Sequence, residues 1–293
     1  MANQQTRRMH TVPHGYLQAF AVPDTKRRMP AVWRFDRISG EGKLVGVRDA
    51  EVVRDIYTIF GDDGAPDTVI EDDILCDVEG AFCATRDVLR DRNPPTREHW
   101  ANLARFIALQ LLRTPRMLQL VREEIDAEGG EYARDTAQRI MVFLARRWVH
   151  RIARMNGIVA SDETDFPFLT CDNPAVTWKK IGEGFQCGVN QRDPSLIVSC
   201  PLAPDLMFTS YQTPESLRAV LAERHDMDQP PQKFGTHIDT GTLPVPEVKR
   251  LNLICIANAH RYLYSNYSDK RLRRFLTNNF FGKPGPARRI IDQ

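Results

Sequence analysis

The sequence predicts an α+β fold, in which a helical middle region packs with a mostly antiparallel sheet drawn largely from the C-terminal half. Between about residues 69 and 156, apolar residues recur at the three- and four-residue spacing of amphipathic helices. After Gly157, short apolar runs alternate with Pro, Gly and Asp, which is typical of strands joined by turns. Helices and strands therefore come in separate blocks, which favours α+β over a doubly wound sheet.

The N-terminal part predicts one short helix and three strands. Pro13 can occupy the first position of a helix, because its missing N–H group costs nothing there. Residues 31–35 and 43–47 have the composition of two strands joined by a hairpin turn, and residues 56–60 that of a third strand.

Four helices are predicted in the middle region, at about residues 69–92, 97–113, 115–127 and 131–156. Proline and glycine separate them, since neither residue favours a helix interior. Strands are predicted at residues 166–170, 175–178, 196–200 and 206–211. A helix at 214–225, an apolar segment at 251–259 and a basic, helix-like tail from Asp269 follow.

Composition and charge limit the classes of protein that fit. The chain has 293 residues, 42% hydrophobic and 27% charged, which predicts an ordered globular protein. Its net charge of +2 argues against nucleic-acid binding by bulk charge, but a local basic patch is compatible with it. No run approaches the roughly 18 apolar residues of a membrane helix. The six cysteines form no C-x-x-C pair, and free thiols predict a cytoplasmic protein.

Two carboxylates lie on or beside the apolar arc of the first long helix. At 100° per residue, Glu71 falls inside this arc and Glu79 at its edge. A carboxylate that faces a core is unfavourable unless it is paired, so both are candidate metal ligands and Glu79 is also a candidate acid or base. The alternative for Glu71 is a capping box with Thr68, which bonds only the backbone.

Gln110 and Arg113 fall on or beside the apolar face of the second long helix. A buried amide beside an arginine could bind an anionic ligand, with Arg113 as a catalytic anion clamp. The alternative is that the pair anchors Glu71 or Glu79 and has a purely structural role.

Two further polar positions stand at the ends of predicted elements. Asp172 follows an apolar run, where it is a candidate metal ligand or base, or an ordinary turn residue. His10 precedes the first helix and is a candidate catalytic acid or base, although a lone histidine is more often structural. No phosphate-binding glycine loop or nucleophile elbow is present.

The fourth long helix carries a basic stripe within about 100° of arc. The stripe is a candidate surface for a nucleotide or nucleic acid, and the alternative is a solvated face balanced by acids of neighbouring helices. Its members are Arg139, Arg146, Arg147, His150 and Arg154.

Several segments together resemble an uncharacterised bacterial family, catalogued as domain of unknown function forty-two thirty-eight. The segments are His10-Thr-Val-Pro-His-Gly-Tyr-Leu-Gln-Ala-Phe20, Ile70 to Glu79, Gln110-Leu-Leu-Arg-Thr-Pro115, Phe168-Leu-Thr-Cys-Asp-Asn-Pro174 and Leu251 to Ser265. The family pattern has Ser where this chain has Cys171, so a hydroxyl role does not carry over to that position.

The resemblance implies a single unit over residues 1–293. A subdivision into a mainly helical part, 1–156, and a strand-rich part, 157–293, is left open. It also implies that Asn173 and Asn252 belong to a shared polar framework with the residues above, as candidate ligand-binding amides.

Two hypotheses follow from these residues. In the first, Glu71, Glu79 and Asp172 hold Mg²⁺ or Mn²⁺, and the protein is a hydrolase of a nucleotide or nucleic-acid phosphodiester. In the second, the protein is a non-enzymatic module that binds a partner or ligand, and the polar set is a buried structural network. The first requires the three carboxylates to lie together at a cleft, whereas the second expects them apart, or paired with Arg113 and Gln110.

Overall fold

The computed structural model describes residues 8–23, 28–61, 64–127, 129, 135–162, 164–182, 184–213 and 238–285. Within them the helices are α1 His14–Gln18, α2 Cys76–Arg90, α3 Arg97–Gln110, α4 Pro115–Ala127, α5 Thr136–Ile152, α6 Val245–Asn258 and α7 Lys270–Asn279. A π-helical turn at Ile70–Leu75 leads into α2, and a short 3₁₀ turn spans Val47–Asp49.

The strands before the long helices are β1 Arg8–His10, β2 Ala31–Asp36, β3 Gly42–Gly46, β4 Val52–Arg54, β5 Ile59–Phe60 and β6 Pro66–Asp67. Those after the helices are β7 Asn156–Asp162, β8 Thr170–Cys171, β9 Val176–Ile181, β10 Gly184–Cys187, β11 Ile197–Ala203, β12 Leu206–Tyr211, β13 Ile238–Leu243 and β14 Tyr262–Ser265.

The largest sheet has six strands in the order β10-β9-β11-β12-β7-β13, and all its pairings are antiparallel except β7 with β13. The second sheet, β3-β2-β14-β8, joins the N-terminal hairpin to two strands from the second half. The predicted α+β class, with its mostly antiparallel C-terminal sheet, is therefore confirmed.

Some predicted elements have different bounds in the structure. The first long helix begins as a π turn at Ile70, and the strand expected at 56–60 is only Ile59–Phe60. Residues 251–258 of the apolar segment, whose element type the sequence left open, belong to α6. The helix expected at 214–225 lies outside the described residues.

Helix α3 lies at the centre of the helical region. Its residues Leu103, Phe106 and Ile107 are completely buried, and α3 packs against both α2 and α5. The Phe106 ring stacks on Phe82 of α2 with 3.6 Å between the ring centroids. The same core cluster contains Phe208 from the six-stranded sheet, so both halves of the chain share one core.

Two glycines meet specific backbone requirements. A Cβ atom at Gly157 would lie 2.3 Å from the Trp100 ring, so only glycine lets β7 pass this close to α3. Gly182, between β9 and β10, has a φ angle of +56°, in the left-handed region that favours glycine. Within the described residues, the helices are all too short or too polar to cross a membrane.

Candidate functional site

Arg113 is the centre of a buried polar cluster between α2, α3 and β1. Its side chain is 1% exposed, and Nη1 donates to Oε1 of Glu79 at 2.6 Å. Nη2 donates to the backbone carbonyl of His10. The Tyr57 hydroxyl donates to the Arg113 carbonyl at 2.6 Å. These hydrogen bonds join four separate segments of the chain. Together with the neighbouring Glu71, the bonded residues form what we call the Arg113 cluster: His10, Tyr57, Glu71, Glu79 and Arg113.

The cluster keeps the guanidinium charged although it is buried. Burial alone would lower the pKa of Arg113, but Tyr57 and Glu79 raise it above its usual value. Burial raises the pKa of Tyr57 to about 12, against the opposing effect of the Arg113 charge. Arg113 and Glu79 thus form a partly enclosed ion pair, which matches the anchoring alternative from the sequence.

Glu71 lies beside this pair on the π-helical turn, a feature that is frequent at functional sites. Burial raises the pKa of Glu71 to about 6, and the neighbouring Glu79 charge adds to this while Arg113 opposes it. Oε2 of Glu71 is buried without a hydrogen-bond partner among the described residues. The Thr68 hydroxyl donates to Asp72 at 2.6 Å, and Val69, not Thr68, is at the N-cap of the π-helical turn.

His10 contributes both its backbone and its ring to this region. Burial lowers the pKa of the His10 imidazole, although the Arg48 carbonyl, 3.3 Å from Nε2, partly offsets the effect. The His14 ring lies edge-on with 6.1 Å between centroids, and its charge would also lower this pKa. The His10 backbone bonds the Glu71 carboxyl, which partly offsets the effect of burial on the pKa of Glu71.

Gln110 is fully buried, and neither of its amide atoms has a hydrogen-bond partner among the described residues. An unpaired buried amide is costly and therefore calls for a specific explanation. Gln110 does not anchor Glu71 or Glu79 through a hydrogen bond in this structure.

Asp172 is not part of the Arg113 cluster. Its carboxylate accepts the backbone N–H groups of His260 at 2.8 Å, Arg261 at 2.6 Å and Tyr262 at 2.9 Å, and so closes the turn before β14. The expected three-carboxylate site with Glu71 and Glu79 is thus not assembled. Across the described ranges, no group of three or more His, Cys, Asp or Glu side chains is placed to hold a metal ion.

Asn252 has a structural position in α6. Its Oδ1 accepts the N–H group of Leu169 at 2.8 Å, and its Nδ2 donates to the carbonyl of Pro167 at 3.0 Å. Both ends of this fully buried amide are occupied, so Asn252 fixes the segment before β8 and leaves no free atom for a ligand.

Asn173 lies at a cleft of about 580 Å³ between the helices and the edge of the six-stranded sheet. One wall is apolar and is formed by Leu111, Leu112, Met117, Leu120, Leu144 and Trp148. The other wall carries polar side chains, Asn173, Thr177, Gln186, Asn190, Gln191 and Asn258. We refer to this space as the cleft.

The backbone around Asn173 is held firmly, whereas its side chain is not satisfied. Nδ2 of Asn258 donates to the carbonyls of Asn173 at 2.6 Å and Ala175 at 3.0 Å. Oδ1 of Asn173 is buried and has no partner among the described residues. Asn173, a residue of the polar wall, therefore carries a buried acceptor that no described protein group uses.

Sequence reasoning missed Glu51, which has a strongly perturbed environment. Burial, reinforced by the nearby Asp172 charge, raises the pKa of Glu51 to about 7. The hydroxyls of Tyr264 and Thr11 donate to its two carboxylate oxygens. Its φ angle is +54°, which is uncommon for a residue with a side chain. No periodicity or motif marks Glu51, because its partners come from distant segments.

The polar wall of the cleft was also missed, apart from Asn173. Gln186 belongs to β10, and Asn190 and Gln191 follow it in a loop. The available signal was a group of amide side chains between two predicted strands, which by itself is indistinguishable from an ordinary polar loop.

Comparison with known proteins gives one match. No curated protein and no solved structure is similar to this chain. A family model described as "Protein of unknown function (DUF4238)" matches residues 8–269, which includes the Arg113 cluster, Asp172, Asn173 and Asn252. The chain therefore belongs to this family, as its sequence motifs predict.

Proposed function

We propose that this protein is a binding module for a small molecule, which occupies the cleft. The observation that carries the proposal is Asn173, a residue that lines the cleft and whose Oδ1 is a buried acceptor without a partner among the described residues. Buried polar atoms are nearly always hydrogen-bonded, so an unused acceptor on a residue that lines an open volume favours a ligand that donates to it.

The two walls indicate the chemistry of the ligand. The cleft volume of about 580 Å³ falls within the usual range for small-molecule sites. Leucine side chains and the half-buried Trp148 offer an apolar surface, against which a flat or aromatic ring would pack. The amides opposite would bind the polar edge of the same ligand, with Asn173 accepting from an N–H or O–H group. Asp193 in this region already pairs with Lys179 at 2.7 Å.

The arrangement of the carboxylates also favours a binding module over a metal-dependent hydrolase. Glu79 is engaged by Arg113, and both oxygens of Asp172 accept backbone N–H groups. Their separation agrees with the second hypothesis from the sequence. A cytoplasmic location fits the free thiols of all six cysteines, and we include it in the proposal.

The experiment is a thermal-shift screen of small molecules on the wild-type protein and an Asn173→Ala variant. A ligand of the folded state raises the unfolding midpoint, and loss of its hydrogen bond should weaken this stabilisation. The matched control is Asn279→Ala, since the Asn279 amide donates to the carbonyl of Phe275 within its own helix. A set of hits that stabilises all three proteins equally would overturn the proposal.

The second candidate is the hydrolysis of a nucleotide or nucleic-acid phosphodiester, assisted by Mg²⁺ or Mn²⁺. The observation that favours an enzyme is Glu71, with its raised pKa and with an Oε2 that has no partner among the described residues, beside His10. The donor set is a poor fit for a divalent ion, because the described residues provide two neighbouring carboxylates, one of them already paired. Unfolding midpoints with and without each metal, measured beside Glu79→Ala, test this candidate: it needs a rise that the variant loses.

A further inference from the structure

The outward face of α5 combines an exposed aromatic ring with positive charge. Phe143 is 62% exposed, whereas most phenylalanine rings of the described chain are buried. At 100° per residue, His150 lies about 20° and Arg147 about 40° to either side of Phe143, and Arg146 about 60° away. The ring therefore lies near the centre of the basic stripe, a relationship that counting charges alone does not show.

The charge of this face is not balanced within the helix. The segment Thr136–Ile152 contains four arginines and one histidine but no acidic residue. Arg139 is engaged by Asp135 at 3.0 Å. In contrast, no described acidic residue forms an ion pair with the exposed Arg146 or Arg147. Among the described residues, the alternative of a stripe neutralised by neighbouring acids therefore applies to Arg139 and not to Arg146 or Arg147.

The kind of partner follows from this combination. A second copy of the chain would bring arginines against arginines in a symmetric contact, which like-charge repulsion opposes. An acidic peptide would use the charges but has no requirement for the ring. Single-stranded nucleic acid uses both, because its phosphates pair with the cations and an unpaired base stacks on an aromatic side chain. We propose that Phe143, Arg146, Arg147 and His150 form a binding site for single-stranded nucleic acid.

This site is distinct from the cleft, although the same helix serves both. Leu144 and Trp148, which line the cleft, lie about 100° and 140° from Phe143 around α5. The two proposals can therefore be tested separately: a substitution on the outward face leaves the cleft wall in place, and Asn173→Ala leaves the outward face unchanged.

The test measures fluorescence anisotropy of a labelled single-stranded oligonucleotide as full-length protein is added at low salt. Phe143→Ala should weaken binding by about 5-fold or more, the loss of one stacked base. Arg146→Gln combined with Arg147→Gln should also reduce the slope of log affinity against log salt by about 1.4, at roughly 0.7 for each phosphate contact. The matched controls are Ile181→Ala, an exposed apolar side chain on β9, and Arg97→Gln, an exposed arginine on α3. Both controls should bind as the wild type does.

Three outcomes would overturn the proposal. The first is the absence of binding to DNA or RNA single strands at low salt. The second is equal affinity for duplex and single strand together with an unaffected Phe143→Ala variant, since stacking requires an unpaired base. The third is binding to anionic vesicles or an acidic peptide in preference to the oligonucleotide. Since all the substituted side chains are exposed, unchanged unfolding midpoints will verify that the variants fold.

Discussion

Arg113 and Glu79 form an ion pair with 2.6 Å between Nη1 and Oε1, in which the arginine side chain is 1% exposed and the glutamate 23%. The pair links the end of α3 to α2, and the same guanidinium holds the backbone of His10 in β1. A buried pair contributes little net stability, but removal of one partner leaves an uncompensated buried charge.

Glu79→Ala is accordingly expected to lower the free energy of unfolding by about 3 kcal/mol, because it leaves Arg113 charged and unpaired in the core. Urea denaturation followed by circular dichroism measures the change. The control is Arg8→Ala, which removes an exposed pair with Asp49 and should have a much smaller effect. Equal effects of the two substitutions would show that the Arg113 pair is not enclosed.

Glu71 should make stability depend on pH in the mildly acidic range. Its pKa in the folded state is about 6, above the ordinary value of 4.5, so the folded state binds the proton more tightly than the unfolded chain does. The resulting stabilisation is complete below pH 4.5 and is lost as the pH rises through about 6.

The difference in stability between wild type and Glu71→Gln isolates this effect, because the glutamine has no charge to lose. Between pH 4.5 and 6, we expect the free energy of unfolding of the variant to rise relative to that of the wild type. The rise is at most about 2 kcal/mol, and it is smaller where solvent screens the carboxylate. A difference that does not change with pH would contradict the raised pKa of Glu71.

Gln110 tests whether a buried amide without a hydrogen-bond partner lowers the free energy of unfolding. Both of its amide atoms lack a partner among the described residues, so Gln110→Leu should raise the free energy of unfolding by about 1 kcal/mol or more. The matched control is Asn252→Leu, because both ends of the fully buried Asn252 amide are hydrogen-bonded, to the Leu169 N–H group and the Pro167 carbonyl, and their loss should destabilise the protein. Destabilisation by both substitutions would indicate that Gln110 has a partner in solution.

Gly157 and Gly80 should respond oppositely to the same substitution. Gly157→Ala places a Cβ atom against the Trp100 ring and should cost about 1–3 kcal/mol through overpacking. Gly80 is in α2, and a Cβ atom there would meet no described atom within 4 Å, so Gly80→Ala should stabilise the helix by about 0.5–1 kcal/mol. Thermal unfolding of both variants measures the contrast, and a neutral Gly157→Ala would refute the close approach of β7 to α3.

Local sequence patterns predicted those parts of the fold that depend on local structure. Periodicity located the long helices, and the glycine- and proline-punctuated apolar runs located most of the strands of the second half. The pairing of β2 with β14 brings residues about 230 apart into contact, Asp36 with Tyr262 for example, and no local pattern encodes such a partner. The π turn at Ile70–Leu75 was missed because its residues have an ordinary helical composition.

The candidate site residues likewise divide into those that local patterns indicate and those whose environment depends on the tertiary fold. The sequence offered Arg113 either as an anion clamp or as an anchor of Glu71 or Glu79, and the structure pairs it with Glu79. Asp172 has the same residue type as a metal ligand, but its carboxylate serves backbone groups whose positions depend on the tertiary fold. Glu51 and the amides of the cleft acquire their environments only when distant strands and helices meet. Phe143 falls within the basic stripe by its helical spacing, so the exposure of its ring could have been predicted from the sequence, although only the charges of the stripe were considered there.

Binding of a small ligand in the cleft through Asn173 is the conclusion on which the proposed function depends. It can be measured by amide NMR of the labelled protein, titrated with the compound that most raises its unfolding midpoint. We expect shifts at the Asn173 side-chain amide and at cleft residues such as Val189, and their loss at the same concentration in Asn173→Ala. Shifts at Gln110 and around Glu71, with an unperturbed Asn173, would refute binding in the cleft and place the ligand at the Arg113 cluster.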